Sequence, residues 1–298
     1  MLSFSAIDTG NILSLRPYIE SQPYRTCDYT IGAIFQWRAY FRSAFALPGD
    51  MLVMLADYGE DGLGYTFPVG NGDMRTALSV IEQDAYETGR PLVYCAVPDE
   101  AVPVLVSHYG ARCIVETRRD WADYLYVASD LIEFPGKRYH TQRNHFNRFL
   151  RENPDSRFVS VTAETLPAAI EFLDGYEKHT PIDKVIEAEE MLRAKELLRD
   201  ALFLNQKAGY LLAGETIVAL AVGETVRDTL YVHVEKARLD FPGAYQAIVS
   251  LFADYAKTPE TQFINREDDS GEEGLRYSKL AYRPVQLLDK HWVIVHPG

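Results

Sequence analysis

Short apolar runs bounded by turn residues alternate with amphipathic stretches along the whole chain, and this alternation restricts the fold more than any other feature. Residues 51–57, 64–69, 91–97 and 123–128 read as strands in the first half; 158–162, 209–213, 217–224, 229–236, 262–267 and 285–295 read as strands in the second. Helical spacing occupies 11–21, 73–89, 99–110, 137–152, 163–178, 187–203, 244–256 and 273–281, with Asp73 and Gly89 placed to cap the second of these. Such alternation predicts the α/β (α+β) class. Two halves of similar element order predict two domains, 1–135 and 136–298, the second carrying the chemistry.

The 298 residues, 47% hydrophobic and 24% charged, supply a sizeable core. A net charge of −13 disfavours DNA and any general nucleic-acid coat. No membrane span is expected, because the most apolar stretch, 211–223, is short and contains Glu215. The N-terminus lacks the basic and apolar regions of a signal peptide, and Cys27, Cys95 and Cys113 form no C-x-x-C pair. Buried, reduced thiols in a cytoplasmic protein are the expectation. Phosphate-loop, zincin and serine-hydrolase motifs are absent. Aligning Gly271 with the glycine of a calcium loop puts Arg266 and Tyr277 where acidic ligands belong, so no metal site is expected.

Three segments depart from this background. Residues 137–151 carry five Lys or Arg and no acid, with Tyr139, Phe146, Phe149 and Leu150 on one helical stripe. Lys137, Arg138, His140 and Arg143 are therefore candidates for contacting phosphate, against the plainer reading of a solvated cationic face. In the strand 229–236, alternation puts Tyr231, His233 and Glu235 on one face, so His233 and Glu235 are candidates for proton handling. After Lys236, the stretch Arg238 to Gly243-Ala244 enters a helix whose free N–H groups favour anions, with Tyr245 beside it. In the third segment Asn265 and Glu267 share a strand face, Arg266 lies opposite, and Asp268, Arg276 and Lys279 complete either an internal ion-pair network or a polar cleft.

As an ordered set, Gly136-Lys-Arg-Tyr-His, His233-Val-Glu-Lys236, Gly243-Ala-Tyr245 and Asn265-Arg-Glu-Asp-Asp through Arg276 and Lys279 resemble the DUF2156 family, relatives of the C-terminal domain of phosphatidylglycerol lysyltransferases. That resemblance implies two tandem GNAT-like (acyl-CoA N-acyltransferase) domains with mixed central sheets flanked by helices. It implies a soluble acyl- or aminoacyl-transferase drawing on aminoacyl-tRNA or acyl-CoA, with no resident cofactor and a tRNA acceptor end or a phosphate-bearing small molecule as partner. On this reading His233, Glu235 and Glu267 are catalytic. Lys137, Arg138, His140, Arg143, Lys236, Tyr245, Asn265, Arg266, Asp268, Arg276 and Lys279 bind substrate, and Arg238, Gly243 and Ala244 meet a cofactor pyrophosphate. The loop is longer than the CoA signature and lacks its second glycine. The alternative is a non-catalytic ligand-binding protein that keeps the fold.

Overall fold

The computed structural model describes residues 1–176 and 185–298, which divide into two compact units. The first comprises Met1–Asp123, Asp268–Glu272 and Leu287–Gly298; the second comprises Tyr124–Glu267 and Glu273–Gln286. Each holds a mixed sheet flanked by helices, the class that the alternation predicts.

In the first unit the strand order is Ser5–Ala6, Ala44–Ala46, Val53–Asp57, Leu63–Tyr65, Leu92–Pro98, Lys290–Val295, Cys113–Thr117. Only the pairing of Leu63–Tyr65 with Leu92–Pro98 is parallel. Helix Met74–Thr88 starts and stops as its caps dictate. Asp73 accepts the N–H groups of Arg75 and Thr76, and Gly89, at φ 67°, takes the left-handed conformation that ends the helix. Its buried Ala77, Leu78, Ile81 and Ala85 lie on one face. Helix Ile31–Trp37 escaped the sequence reading because Ile31 through Gln36 are all buried, which leaves no polar face to reveal a period.

The second unit is built on strands Asp123–Val127, Phe263–Asn265, Thr229–Ala237, Thr216–Val226, Lys207–Ala213 and Arg157–Ser160, in that spatial order, the first residue, Asp123, belonging to the first unit. Helix Ala244–Ala256 covers the sheet, burying Ala247, Ile248 and Phe252. The helices expected at 163–178 and 187–203 are observed as Leu166–Gly175 and Val185–Arg199; Glu177 and Lys178 lie outside the described residues. Helix His140–Glu152 turns Tyr139, Gln142 and Phe149 inward. Leu150, expected inward, is exposed, and Gln142 takes its place by donating its side-chain N–H to the Ala281 carbonyl at 2.6 Å.

The units differ from the expected division at residue 135 in two respects. Asp123–Val127, read as the last strand of the first half, pairs with Phe263–Asn265 in the second sheet. The stretch read as one strand at 285–295 is broken after Leu288, and Lys290–Val295 inserts between Leu92–Pro98 and Cys113–Thr117 in the first sheet. Hydrophobic periodicity tells which segments are strands, but the partner of a strand is a non-local choice that periodicity does not encode.

Candidate active site

His233 owes its position to a β-bulge. Along the hairpin, Val222 lies opposite Val234 and Gly223 opposite Val232, so His233 is the extra residue. Gly223 has to be glycine there, because a Cβ would meet the Tyr231 carbonyl oxygen at 2.1 Å. The bulge directs a fully buried imidazole between two carboxylates: Nδ1 is 2.7 Å from Glu267 and Nε2 is 3.3 Å from Glu224. Burial pulls the imidazole pKa down, but the hydrogen bonds and charges of Glu224 and Glu267 outweigh it and raise it to about 9. At neutral pH both ring nitrogens carry protons and donate, so His233 holds the two carboxylates and has no lone pair for abstracting a proton.

A group whose pKa rises on folding stabilises the fold below its unfolded pKa, and that stability is lost as pH climbs through the folded value. His233 therefore contributes roughly 3 kcal/mol below about pH 6.5 that disappears through about pH 9. Denaturant midpoints at pH 6 and pH 9.5 should show this fall in the parent chain and a flatter profile in His233→Gln. Equal slopes in the two proteins would rule it out.

Glu235 does not pair with His233. Its carboxylate accepts from Arg266 Nη2 at 2.6 Å, with both side chains mostly buried. Arg266 stacks 4.5 Å from the Tyr282 ring centroid, and its Nη1 is buried with no hydrogen-bond partner among the described residues. Burial opposes the guanidinium charge, and Glu235 with the flanking tyrosines Tyr126 and Tyr282 more than restores it. Alternation had put Arg266 and Glu267 on opposite faces. The strand, however, ends at Asn265, whose side-chain oxygen accepts the Glu267 N–H at 2.6 Å, and Glu267 turns into the left-handed region at φ 58°. Both charged side chains consequently reach the 229–237 strand. Sequence reasoning missed Glu224; its signal was a carboxylate following a strand glycine inside an otherwise apolar run.

The other candidates divide by how their donors are spent. Lys137, Arg138 and His140 are exposed at the start of the basic helix, with Arg138 stacked 5.0 Å over Tyr139 and 3.7 Å from Asp130. Arg143 instead donates to the carbonyls of Phe134 and Gly136. Lys279 is buried, donating to the Arg266 carbonyl at 2.6 Å above the Tyr124 ring. Lys236 is paired with Glu190 at 2.8 Å, and the Tyr245 hydroxyl lies 3.3 Å from that of Tyr176. Arg276 is half-buried on helix Glu273–Ala281. Asp268 belongs to the first unit, where its carboxylate accepts the Ser270 N–H.

The segment read as a pyrophosphate loop has a structural use. Arg238 forms a two-pronged pair with Asp240, and the Ala244 N–H donates to the Phe241 carbonyl. Gly243 sits at φ 88°, where a Cβ would lie 2.1 Å from the His145 carbonyl oxygen, so the backbone of the basic helix accounts for this glycine without any phosphate. Gly243→Ala should destabilise the second unit by about 3 kcal/mol through strain and crowding together, as read by urea denaturation. A loss below about 0.5 kcal/mol would show that the two helices can separate there.

The first unit holds a second polar cluster that no sequence reading found. Lys290 is completely buried, its ammonium 2.8 Å from both Asp28 and Asp123, 4.0 Å from Asp268 and 3.4 Å from the Cys27 sulfur. Burial opposes its charge, but Asp123, Asp28 and Cys27 hold its pKa well above the ordinary lysine value. Cys27, Asp28 and Asp123 bring their ligand atoms within 4.8 Å of one another, but the ammonium already supplies the cation they surround. Cys27 and Cys95 are buried as expected, whereas Cys113 is half-buried, and none of the three is in a disulfide. Among the described residues no helix is long and apolar enough to cross a membrane.

The family model described as phosphatidylglycerol lysyltransferase, C-terminal, matches residues 21–294. A conserved protein of unknown function from Bacteroides thetaiotaomicron is 30% identical, with 99% of this chain and all of that one covered at a TM-score of 0.93. L-PGS from Bacillus licheniformis shares the fold at 15% identity and a TM-score of 0.69, covering 98% of this chain and 93% of that one. An uncharacterised protein of Mycoplasmoides gallisepticum is 23% identical over 192 residues, which is 63% of this chain and 60% of the relative's length.

Proposed function

This chain belongs to the phosphatidylglycerol lysyltransferase C-terminal family, and from that premise we propose that its second unit is an acyl-transferring site that takes an aminoacyl group from aminoacyl-tRNA. The observation that carries the reading is the pair of carboxylates, Glu267 and Glu235, both mostly buried and each backed by a buried cation, His233 and Arg266. Such carboxylates are fixed in direction and suited to hold the α-ammonium of an aminoacyl donor. The acceptor amine or hydroxyl attacks the ester carbonyl, an acyl–N or acyl–O bond forms, and the ester C–O bond breaks. The nucleophile's proton passes by way of Glu235 to the leaving ribose oxygen, while Glu267 holds the ammonium. Lys137, Arg138 and His140, exposed on a chain of net charge −13, are the groups proposed to meet the phosphates of the acceptor end. Lys279 is buried and Arg143 donates to two carbonyls, so both shape the site and leave phosphate to those three, of which Arg138 is exposed and makes one long contact to the Arg283 carbonyl.

A CoA thioester is the less favoured donor, since Arg238 is held by Asp240 and the Gly243 backbone is covered by the basic helix. A second reading, binding without turnover, is favoured by one observation: His233 already holds Glu224 and Glu267, and Glu235 already holds Arg266 Nη2, inside the unit. Labelled aminoacyl-tRNA and labelled acetyl-CoA, each offered with phosphatidylglycerol vesicles and simple primary amines, separate the three. Transfer from the tRNA alone is the expected result. Transfer from acetyl-CoA alone would reassign the donor, and retention of label without product would leave a binding protein.

A further inference from the structure

Thr117, His291 and Asp99 meet on the first unit's sheet and take no part in the chemistry proposed for the second unit. Thr117 and His291 lie directly opposite each other on neighbouring strands. The Arg118 N–H donates to the Lys290 carbonyl at 2.9 Å, which makes theirs a non-hydrogen-bonded pair, the kind whose side chains approach closest. Thr117 Oγ1 is accordingly 3.1 Å from His291 Nδ1. On the other side, His291 faces Val97 while Val293 faces Tyr94, so strand Leu92–Pro98 carries an extra residue there, with Ala96 at φ 52°. That strand ends just past the bulge, and the next residue, Asp99, sets its carboxylate 2.5 Å from His291 Nε2.

The two buried histidines differ in what they have left to offer. His233 lies between two carboxylates and donates from both nitrogens. His291 meets one carboxylate and one hydroxyl. An ionised carboxylate only accepts, so Nε2 carries the proton and Nδ1 keeps its lone pair for the Thr117 O–H. Hydroxyl, imidazole and carboxylate in hydrogen-bonded series are the parts of an activated nucleophile, recognised by geometry and not by order in the chain. Access also fits those roles: Thr117 is exposed, and His291 is only 7% exposed. The branched Thr117 side chain is stiff at χ1, which keeps its hydroxyl in place.

We propose that Thr117 is a second nucleophile of this protein, accepting acyl groups from small activated carboxylic esters. Its Oγ1 attacks the ester carbonyl, an acyl–Oγ1 bond forms, and the ester C–O bond breaks. The hydroxyl proton moves to His291 Nδ1 and from there to the departing oxygen. Asp99 holds the ring in the required tautomer and balances the imidazolium, so it is a positioning residue. Water, activated by the same imidazole, then cleaves the acyl–Oγ1 bond and releases a carboxylic acid.

The full chain is incubated with p-nitrophenyl acetate, and the acetylated residues are mapped by peptide mass spectrometry. Thr117 should carry acetyl, and Thr117→Ser should still be labelled at that position. Thr117→Val, close in shape and at an exposed position, should lose the ester hydrolysis with unchanged circular dichroism. His291→Gln should slow acetylation of Thr117 about 100-fold. Asp99→Asn should slow it too, and Asp99→Glu should restore it, which a merely structural role for the carboxylate would not produce. Acetyl confined to lysines, hydrolysis that persists in Thr117→Val, or labelling of Thr117 at the parent rate in His291→Gln would each overturn the proposal.

Discussion

Glu235→Ala is expected to unfold about 3–5 kcal/mol more readily than the parent chain. The carboxylate it loses accepts from Arg266 Nη2 at 2.6 Å, and among the described residues Nη1 has no hydrogen-bond partner to take over. Its removal leaves a buried guanidinium between Tyr126 and Tyr282 with its charge uncompensated. Glu235→Gln keeps a hydrogen-bond acceptor and should lose less. The double replacement Glu235→Leu with Arg266→Met removes both charges and should recover most of the loss, because an apolar pair of similar volume avoids desolvation altogether. Urea denaturation of the parent and the three variants reads these differences. If Glu235→Ala costs less than about 1 kcal/mol, the guanidinium is reaching water and is not the fixed backing the site requires.

The second large effect belongs to the first unit. Lys290→Met should also cost about 3–5 kcal/mol, since it leaves Asp28 and Asp123 facing each other in the interior. Burial already pushes the Asp28 carboxyl up, against the pull of Lys290, and losing the ammonium removes that pull. A carboxyl with a raised folded pKa is best accommodated below its unfolded value and becomes a liability above it. The deficit of Lys290→Met should therefore shrink as pH falls from 7 towards about 4. Melting curves at both pH values check this, and a deficit independent of pH would mean that the lost packing of the lysine stem, and not the stranded carboxylates, is responsible.

Both clusters show where sequence reading reaches and where it stops. The helices with a polar face, Met74–Thr88, Ala244–Ala256 and Glu273–Ala281, were legible to within a residue because caps and periodicity are local. His233, Glu235 and Glu267 were legible as a polar set on strand ends, and the structure does gather them in one unit. Their pairing was not legible. The bulge opposite Gly223 and the positive φ at Glu267 break the two-residue period on which face assignment depends. Lys290 was invisible for another reason: it opens a strand that crosses into the first sheet, and its partners Asp28 and Asp123 lie far away in sequence.

Donor recognition in the second unit rests on Glu267 backed by His233, and one measurement addresses it directly. Transfer is followed from aminoacyl-tRNA bearing a free α-ammonium and from the same donor N-acetylated, using the parent chain and Glu267→Gln. The parent should use the free-amine donor and neglect the acetylated one by about 100-fold or more, and Glu267→Gln should be slow with both. Equal use of the two donors by the parent chain, or full activity in Glu267→Gln, would contradict the assignment of this carboxylate as the ammonium anchor.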